Sequence, residues 1–173
     1  MNLVFEPLRA AMARDAFDCG EPALNTYLRQ QARQDVSRHF TTVIIAYETA
    51  VPDTIIGYYT LSLASVPRLS VPDELRRKMP RYSDIPAIRL GRLAVAKPFQ
   101  SQHHGTLLVA DALTRACRNE LTWALFCVDA KNEYAARFYQ KMMFKPFPDR
   151  RESFWMHRKQ AERLIASLPR PYF

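Results

Sequence analysis

The sequence predicts a single α/β domain built around a mixed β-sheet. Short β-rich runs alternate along the chain with stretches whose apolar residues recur at helical spacing. One such stretch, residues 105–120, lies between two apolar strands, and this order predicts a right-handed parallel crossover. No repeat, low-complexity tract or internal linker divides the 173 residues, so we expect one domain over 1–173.

The N-terminal half predicts a strand, a helix and a hairpin. Phe-Glu-Pro-Leu at residues 5–8 indicates a short strand, and a turn at Cys19 and Gly20 precedes a helix that begins near Glu21 or Pro22. Helical spacing predicts that one face of this helix is buried, with the residues Leu24, Tyr27, Leu28 and Ala32. The β-rich runs 41–48 and 54–66, separated by turn signals, predict an antiparallel hairpin.

The C-terminal half predicts a proline-rich excursion followed by alternating strands and helices. Residues 67–86 carry four prolines and predict a short helix inside a long exposed loop. Strands are expected at 87–95, 121–128 and 153–159. Helices are expected at 105–120, at 132–143 and from about Gln160 to Leu168, the first with a buried face of Leu108, Ala112, Leu113 and Ala116.

Charge and cysteine content limit the cellular setting and the partners. The formal charge of +8 favours a polyanionic partner such as RNA or DNA and, with equal weight, a solvated surface plus coenzyme phosphates. The three cysteines lack zinc-site spacing, and we interpret them as packing residues in a reducing compartment. No stretch is apolar enough for a signal peptide or membrane span, so we expect a cytoplasmic protein that does not contact a membrane.

Residues 90–108 predict an anion site, because an apolar strand passes through a polar turn directly into a helix. We call residues 100–106 the polar turn. Free amide groups of residues 102–106 can bind a pyrophosphate at the positive end of the helix, and Gly105 permits close backbone approach. The alternative is an ordinary strand-to-helix turn. The pattern is neither a nucleotide P-loop nor a three-glycine dinucleotide motif, and His103 with His104 is expected to line the turn without binding metal.

A second polar pair follows the next predicted strand. Asn132 opens a helix, and Tyr139 lies seven residues later on the same face, so both side chains can reach one cleft. The alternative, which the residues alone favour, makes Tyr139 an amphipathic core residue with its hydroxyl at the surface.

These segments resemble the GCN5-related N-acetyltransferases (GNATs). Residues 93–113 look like the coenzyme motif Gln/Arg-x-x-Gly-x-Gly/Ala, with Gln100 in first place and Gly105 in last. Residues 129–147 resemble the later motif of an Asn, an alanine-rich helix and Phe-Tyr. The runs 17–32, 57–66 and 90–95 are similar to the acetyltransferase toxins of bacterial toxin-antitoxin modules.

Two positions depart from the family pattern. His103 stands at the middle glycine of the coenzyme motif, and Met143 replaces the glycine of the usual Phe-Gly-Phe. If residue 103 needs a positive φ, its Cβ crowds the coenzyme while the amides remain available. The departures therefore predict weaker or differently shaped coenzyme binding.

The resemblance implies a GNAT fold: a mostly antiparallel sheet whose central parallel strand pair splays to hold acetyl-CoA, with helices on its flanks. No metal is implied. Tyr139 would protonate the departing sulfur as the catalytic acid. The implied coenzyme contacts are Leu93, Ala94, Val95, Gln100, Gln102, His103, His104, Gly105, Thr106 and Asn132.

The toxin branch further implies an acceptor and partners. The acceptor would be the α-amino group of aminoacyl-tRNA, the antitoxin would carry a ribbon-helix-helix part, and the toxin would form a homodimer. Basic residues expected to contact RNA phosphates are Arg76, Arg77, Lys78, Arg81, Arg89 and Arg92. For Arg92 an inward contact is the alternative, because residues of a strand alternate between its faces.

Two other functions remain compatible with the sequence. The first is acetylation of a small amine or a protein N-terminus by the same fold. The second is a non-catalytic module that binds nucleic acid or an antitoxin.

Overall fold

The structure, a computed structural model, describes residues 3–168. In that range the strands are β1 (Leu3–Pro7), β2 (Thr42–Glu48), β3 (Gly57–Pro67), β4 (Asp84–Val95), β5 (Leu125–Asp129), β6 (Lys145–Pro146) and β7 (Ser153–His157). The helices are α1 (Pro22–Thr26), α2 (Ala32–Ser37), α3 (Asp73–Arg76), α4 (His104–Arg118), α5 (Glu133–Lys141) and α6 (Arg158–Ser167). A π-helical turn, Tyr27–Gln31, joins α1 to α2, and 3-10 turns cover Arg68–Ser70 and Lys97–Phe99.

The strands form a mixed sheet in the order β1-β2-β3-β4-β5-β7-β6. Strand β2 pairs antiparallel with β1 and β3, and β7 pairs antiparallel with β5 and β6. Strand β4 pairs parallel with β5, in a register that places Ala87 opposite Leu125 and Leu90 opposite Val128. Because α4 connects these two strands, the predicted parallel crossover and the α/β class are confirmed.

The chain divides into two compact units, and the boundaries between them fall within β3, β4 and α4. The first contains the described residues up to Ser62 together with Gly91–Ala112. Its core joins the N-terminal helix to the hairpin and to the end of β4, through residues that include Phe17, Tyr27, Leu28, Ile45, Tyr58 and Ala94. The predicted buried face of the N-terminal helix is confirmed at Tyr27, Leu28 and Ala32, while Leu24 is half-buried.

The second unit contains Leu63–Leu90 and the described residues from Leu113 onward. Its core lies around the paired strands β5 and β7 and includes Val66, Val71, Ile85, Leu125, Cys127, Phe147 and Trp155. The expectation of one domain over 1–173 remains a prediction. None of the helices in residues 3–168 has the length and apolar character needed to cross a membrane.

Several details differ from the sequence prediction, among them β5, which begins at Leu125 and not at residue 121. The π-helical turn was not predicted, because a single wide turn leaves the helical spacing of apolar residues nearly unchanged. Strand β6 has only two residues and gives no alternating pattern. Strand β4 begins three residues earlier than predicted, and α6 begins at Arg158 because His157 caps it by accepting a hydrogen bond from the Lys159 amide.

The proline-rich segment is less exposed than the sequence predicted. It contains the expected short helix, α3, but Val71 is 2% exposed and packs in the core of the second unit. Leu75 and Met79 pack against the same cluster. Apolar residues at a spacing of four thus attach the segment to the unit, and only its remaining faces are left to solvent.

Gly57 allows β3 to approach the end of β4 closely, and we expect Gly57→Ala to destabilise the protein by about 2 kcal/mol through overpacking. A Cβ at this position would lie 2.7 Å from the Ala94 carbonyl oxygen and 2.9 Å from Leu108 Cδ1. Urea denaturation monitored by circular dichroism measures the change.

Gly91→Ala is the matched control, because its Cβ would meet only a side-chain atom, the Thr60 hydroxyl at 3.0 Å, and no main-chain oxygen. We expect less than half of the Gly57→Ala effect there. Equal losses in the two variants would contradict the close-approach interpretation.

Candidate functional site

The polar turn leads directly from the end of β4 into α4. After Val95 the chain makes the 3-10 turn Lys97–Phe99, and α4 begins at His104. The first hydrogen bond of the helical ladder runs from the Leu107 amide to the His103 carbonyl, at 3.1 Å. The preceding amides, those of His104, Gly105 and Thr106, therefore lie outside the ladder, as a helix start requires. An anionic group can bind them at the positive end of α4.

The polar turn contains two left-handed residues that are not glycine. Ser101 has φ 61° and His103 has φ 64°. In this region a Cβ approaches the neighbouring carbonyl, which costs on the order of 1 kcal/mol. Residue 103 thus meets the condition under which its Cβ is predicted to crowd the coenzyme, and the family's preference for glycine there has a backbone cause.

The other departure from the family pattern behaves in the same way. Met143 has φ 69° and follows the C-terminus of α5, where its amide donates to the Gln140 carbonyl at 2.9 Å. The Phe144 amide then donates to the Tyr139 carbonyl at 3.0 Å, so the chain leaves the helix in a left-handed turn of the kind that glycine adopts most readily. From α6, the Gln160 side chain donates to the Met143 carbonyl at 3.0 Å.

The two histidines of the polar turn have different environments. His103 is exposed, whereas the His104 side chain is buried and its Nδ1 lies 2.9 Å from the Phe99 carbonyl oxygen. The His104 ring also packs edge-on against Phe99. His104 therefore braces the turn with its side chain, and its place among the predicted coenzyme contacts rests on its main-chain amide.

The glutamines also brace the turn. Gln100 Nε2 donates to the carbonyl oxygens of Cys19 and Val95, both at 2.9 Å. Gln102 Nε2 donates to the Pro98 carbonyl at 2.9 Å. Both side-chain amides are thus engaged with the protein backbone, and the main-chain amide of Gln102 remains the group predicted to contact a ligand.

The end of β4, which carries the predicted coenzyme contacts Leu93, Ala94 and Val95, lies in the core of the first unit. Ala94 is 4% exposed and belongs to the core cluster, while Leu93 and Val95 are half-buried on either side of it. This alternation is that of a strand with one face in a core. Contacts from Leu93 and Val95 to a ligand remain predictions.

Tyr139 lies in an aromatic cluster of the second unit. Its ring centre is 5.2 Å from that of Phe138, 5.7 Å from Phe144 and 6.4 Å from Phe154, and the residue is 6% exposed. The ring is therefore a core residue, as the alternative interpretation expected. The Tyr139 hydroxyl is not both fully buried and unpaired. It therefore contacts either solvent or a hydrogen-bond partner.

Electrostatics keep the Tyr139 phenol protonated. Burial raises the pKa of Tyr139 well above its usual range, and the negative charge of Asp129 raises it further. A neutral phenol at physiological pH can donate a proton or a hydrogen bond, and it cannot serve as a base.

Asn132 has a clear structural role. It is exposed, and its side-chain oxygen accepts a hydrogen bond from the Ala135 amide at 2.9 Å, which makes it the N-cap of α5. The expectation that Asn132 opens a helix is confirmed. Its contact with a coenzyme remains a prediction.

Asp129 is a candidate functional residue that the sequence reasoning missed. It ends β5, accepts a hydrogen bond from the Ser153 hydroxyl at 2.6 Å and lies 3.6 Å from Arg89 Nη1. The signal was available, because a carboxylate directly after a buried strand stands where functional groups of α/β proteins gather.

The predicted RNA-contacting residues separate into free and engaged groups. Arg77, Lys78 and Arg81 are exposed. Arg76 forms an ion pair with Asp73 in α3, and Arg89 forms the pair with Asp129. These five residues lie in the second unit, with three of them beside or within α3.

Arg92 belongs to the first unit and makes the inward contact that the sequence left open. Its guanidinium carbon lies 3.6 Å from the centre of the Tyr27 ring, which is a close cation–π contact. Burial raises the pKa of Tyr27 to about 12, and the charge of Arg92 opposes that rise. Packing in the first unit therefore accounts for Arg92, and its contact with RNA remains a prediction.

The cysteines match their expected packing role in two cases out of three. Cys19 and Cys127 are buried and Cys117 is half-buried, all as free thiols. Burial raises the pKa of Cys127 to about 12, which makes this thiol unreactive. Among residues 3–168, no three His, Cys, Asp or Glu side chains are grouped as a metal site would require.

The model of the acetyltransferase (GNAT) family matches residues 7–144. The chain belongs to this family. As a member it is an acetyltransferase, and the resemblance predicted from the coenzyme motif is confirmed. Acetyl-CoA is the cosubstrate that this assignment gives the protein.

One known protein and two solved structures of another, AtaT, extend the similarity to the toxin branch of the acetyltransferases. A tRNA-acetylating toxin of Mycobacterium tuberculosis is 30% identical over 163 residues, which are 92% of this chain and 95% of that protein. The structure of AtaT in complex with acetyl-methionyl-tRNAfMet has a TM-score of 0.87 at 29% identity and covers 95% of this chain and 99% of that one. A variant of the AtaT toxin bound to the C-terminus of the antitoxin AtaR and acetyl-CoA has a TM-score of 0.79 at 25% identity, covering 96% and 100%.

For the acetyltransferase we expect His103→Gly to preserve or tighten acetyl-CoA binding and to raise the free energy of unfolding by about 1 kcal/mol relative to His103→Ala. Both variants remove the imidazole, but only glycine relieves the left-handed strain. Calorimetric titration and thermal melts measure the two effects. A large loss of affinity in both variants would show that the imidazole itself contacts the coenzyme.

Proposed function

We propose that this acetyltransferase transfers the acetyl group of acetyl-CoA to the α-amino group of aminoacyl-tRNA and thereby acts as a translation-blocking toxin. The similarity to a tRNA-acetylating toxin along 92% of the chain supports this proposal most directly. The fold agrees with it, because the seven-stranded sheet contains the parallel β4–β5 pair and a helix that begins with free amides.

The first unit is predicted to hold the diphosphate of the coenzyme. The amides of residues 102–106 are predicted to bind its oxygens, with α4 supplying the positive end of a helix dipole. The pantetheine arm would pair with the main chain of Leu93 and Val95. Bound acetyl-CoA supplies an activated acyl group as a thioester.

The residues of the chain serve the transfer by stabilising charge. A C–N bond forms between the α-amino nitrogen and the acetyl carbon as the C–S bond breaks, and the sulfur leaves with the electron pair. Main-chain N–H groups near Leu93 to Val95 are predicted to stabilise the negative charge on the thioester oxygen. The Tyr139 phenol, kept protonated by burial, is predicted to donate to the leaving sulfur.

The acceptor needs little activation. A free α-amino group titrates near pH ~8, and an adjacent ester lowers that value further, so a large fraction is neutral in the cell. A lysine side chain, with a pKa near ~10.4, would require a strong base. The protonated phenol of Tyr139 cannot act as that base, which favours an α-amine acceptor.

RNA phosphates would be bound mainly at α3 and the segment after it. Arg77, Lys78 and Arg81 are exposed there and the chain carries a net charge of +8, so electrostatic attraction supports the association. Arg76, Arg89 and Arg92 already have protein partners and would contribute less.

The proposed partners follow from the toxin branch. A ribbon-helix-helix antitoxin would neutralise the acetyltransferase, which would act as a cytoplasmic homodimer. The structure of AtaT with the C-terminus of an antitoxin supports an antitoxin partner of this general kind.

We expect Tyr139→Phe to lower kcat by roughly 100-fold while acetyl-CoA affinity and thermal stability stay near the wild-type values. The phenyl ring keeps the contacts of the aromatic cluster, and only the hydroxyl group is lost. Calorimetry and a single-turnover assay with labelled acetyl-CoA and aminoacylated tRNA measure both quantities.

Tyr134→Phe is the matched control, because it removes a hydroxyl from an exposed tyrosine of the same helix. We expect no change in turnover there. Unchanged turnover in Tyr139→Phe would show that Tyr139 has a purely structural role.

We expect the KM for aminoacyl-tRNA to rise steeply with added salt, and Arg77→Gln with Lys78→Gln to reduce the slope of log KM against log salt by about 1 to 2. Glu162→Gln with Arg163→Gln changes two residues of α6 without altering net charge and serves as the control. A KM independent of salt would instead favour a small amine or a protein N-terminus as the acceptor.

A further inference from the structure

Residues 17–20, which we call the bracing segment, begin one of the three runs that resemble the toxin branch but have no role in the proposed chemistry. The segment contacts the strand and turn that are predicted to hold the coenzyme. Asp18 Oδ2 accepts from Lys97 Nζ at 2.7 Å, and the Asp18 carbonyl accepts from the Lys97 amide at 2.9 Å. The Cys19 carbonyl accepts from Gln100 Nε2 at 2.9 Å.

The bracing segment is fixed from its other side by the N-terminal helix. Asn25 is 9% exposed, and its Nδ2 donates to Asp18 Oδ1 at 2.8 Å while its Oδ1 accepts from the Cys19 amide at 2.9 Å. The side chain of Arg29 donates to the Phe17 carbonyl. Phe17 and Cys19 also belong to the core cluster that contains Ala94 and Ala96, the residues that flank Val95.

Backbone geometry limits the segment to one arrangement. Gly20 has φ 88°, and its amide donates to Asp18 Oδ1 at 2.8 Å. A Cβ at position 20 would be strained by this φ and would meet Lys97 Cε at 3.2 Å. Glycine is therefore required both by the turn and by the lysine that crosses it.

We propose that Asp18, Lys97, Gln100 and Asn25 form a positioning network that holds the polar turn in the conformation required for coenzyme binding. The inference rests on the proposed function and names residues that act on that site through others. The network offsets the strain of the left-handed residues Ser101 and His103, because Gln100 and Lys97 attach the turn just before them.

The charge state of Asp18 supports the network at every physiological pH. The hydrogen bond from Lys97, followed by those from the Gly20 amide and Asn25, lowers the pKa of Asp18 to about 2. The carboxylate is therefore ionised whenever the enzyme is folded and active. Both members of the ion pair are largely exposed, so the pair serves to position the turn more than to stabilise the fold.

The test is calorimetric titration of acetyl-CoA into the full-length protein, without any acceptor. We expect Asp18→Asn and Lys97→Met each to weaken acetyl-CoA binding by roughly fivefold to tenfold. The double variant should bind no more weakly than either single variant, because the two residues act as a pair. Lys97→Arg, which retains the charge, should bind within about twofold of the wild type.

Glu6→Gln provides the control, because it breaks another ion pair of the first unit, with Arg9, far along the chain from the polar turn. We expect no change in its coenzyme affinity. Two further measurements separate a positioning role from a general loss of stability: a thermal melt of each variant, and the KM values for acetyl-CoA and for the acceptor. If Asp18 and Lys97 position the turn, only the KM for acetyl-CoA should rise.

The sign of the Asp18→Asn effect decides between two roles of Lys97. If Lys97 only contacted coenzyme phosphates directly, removing Asp18 would free the lysine and leave binding equal or tighter, and that result would overturn the inference. If the wild type itself bound no acetyl-CoA, the proposed function would fail and the inference with it. Normal wild-type binding with an unaffected Asp18→Asn would overturn the inference alone.

Discussion

The predicted coenzyme site of this acetyltransferase depends on one constraint: main-chain amides at the start of α4 must be held in place with no helical partner. A helix start exposes such amides everywhere, but a useful site requires the chain before it to have a single conformation. Here the side chains of Gln100 and Gln102 bind backbone carbonyls, and His104 is buried against Phe99. Residues of the polar turn therefore maintain its geometry with their side chains and leave their amides for a ligand.

Local hydrogen bonds explain how a chain with two departures from the family pattern still has the fold. His103 and Met143 occupy the left-handed region without being glycine, and each carries a cost on the order of 1 kcal/mol. Each residue accepts a hydrogen bond at its carbonyl: the Leu107 amide donates to His103 in the first unit, and the Gln160 side chain donates to Met143 in the second. Because the surrounding contacts fix the backbone, the strained conformation persists. The strain lowers the free energy of unfolding and leaves the topology unchanged.

Periodicity predicted most of the fold, because the strands and helices bury one face each. The hairpin, the β4-α4-β5 crossover and the buried face of α4 at Leu108, Ala112, Leu113 and Ala116 were all visible in the spacing of apolar residues. The site was predicted less completely. Hydrogen bonds between residues distant in sequence, such as Lys97 with Asp18 or Gln100 with Cys19, leave no periodic signal. Arg92 and the engagement of Gln100 likewise depend on tertiary packing, which spacing along the chain does not encode.

The sequence offered two interpretations of Tyr139, a core residue and a catalytic acid, and the structure is compatible with both. The pKa values of the phenol and of the leaving thiol limit which proton transfers Tyr139 can make. Its ring packs with Phe138, Phe144 and Phe154, and burial raises the pKa of the phenol. An alkyl thiol titrates near ~8.5, so complete transfer of the phenolic proton to a thiolate is unfavourable. A hydrogen bond to the developing sulfur charge does not carry this cost, and the attacking amine can supply the proton it must lose in any case. The proposed role of Tyr139 is thus to stabilise the leaving group by donation, which requires a phenol that stays protonated and therefore a ring inside an apolar cluster.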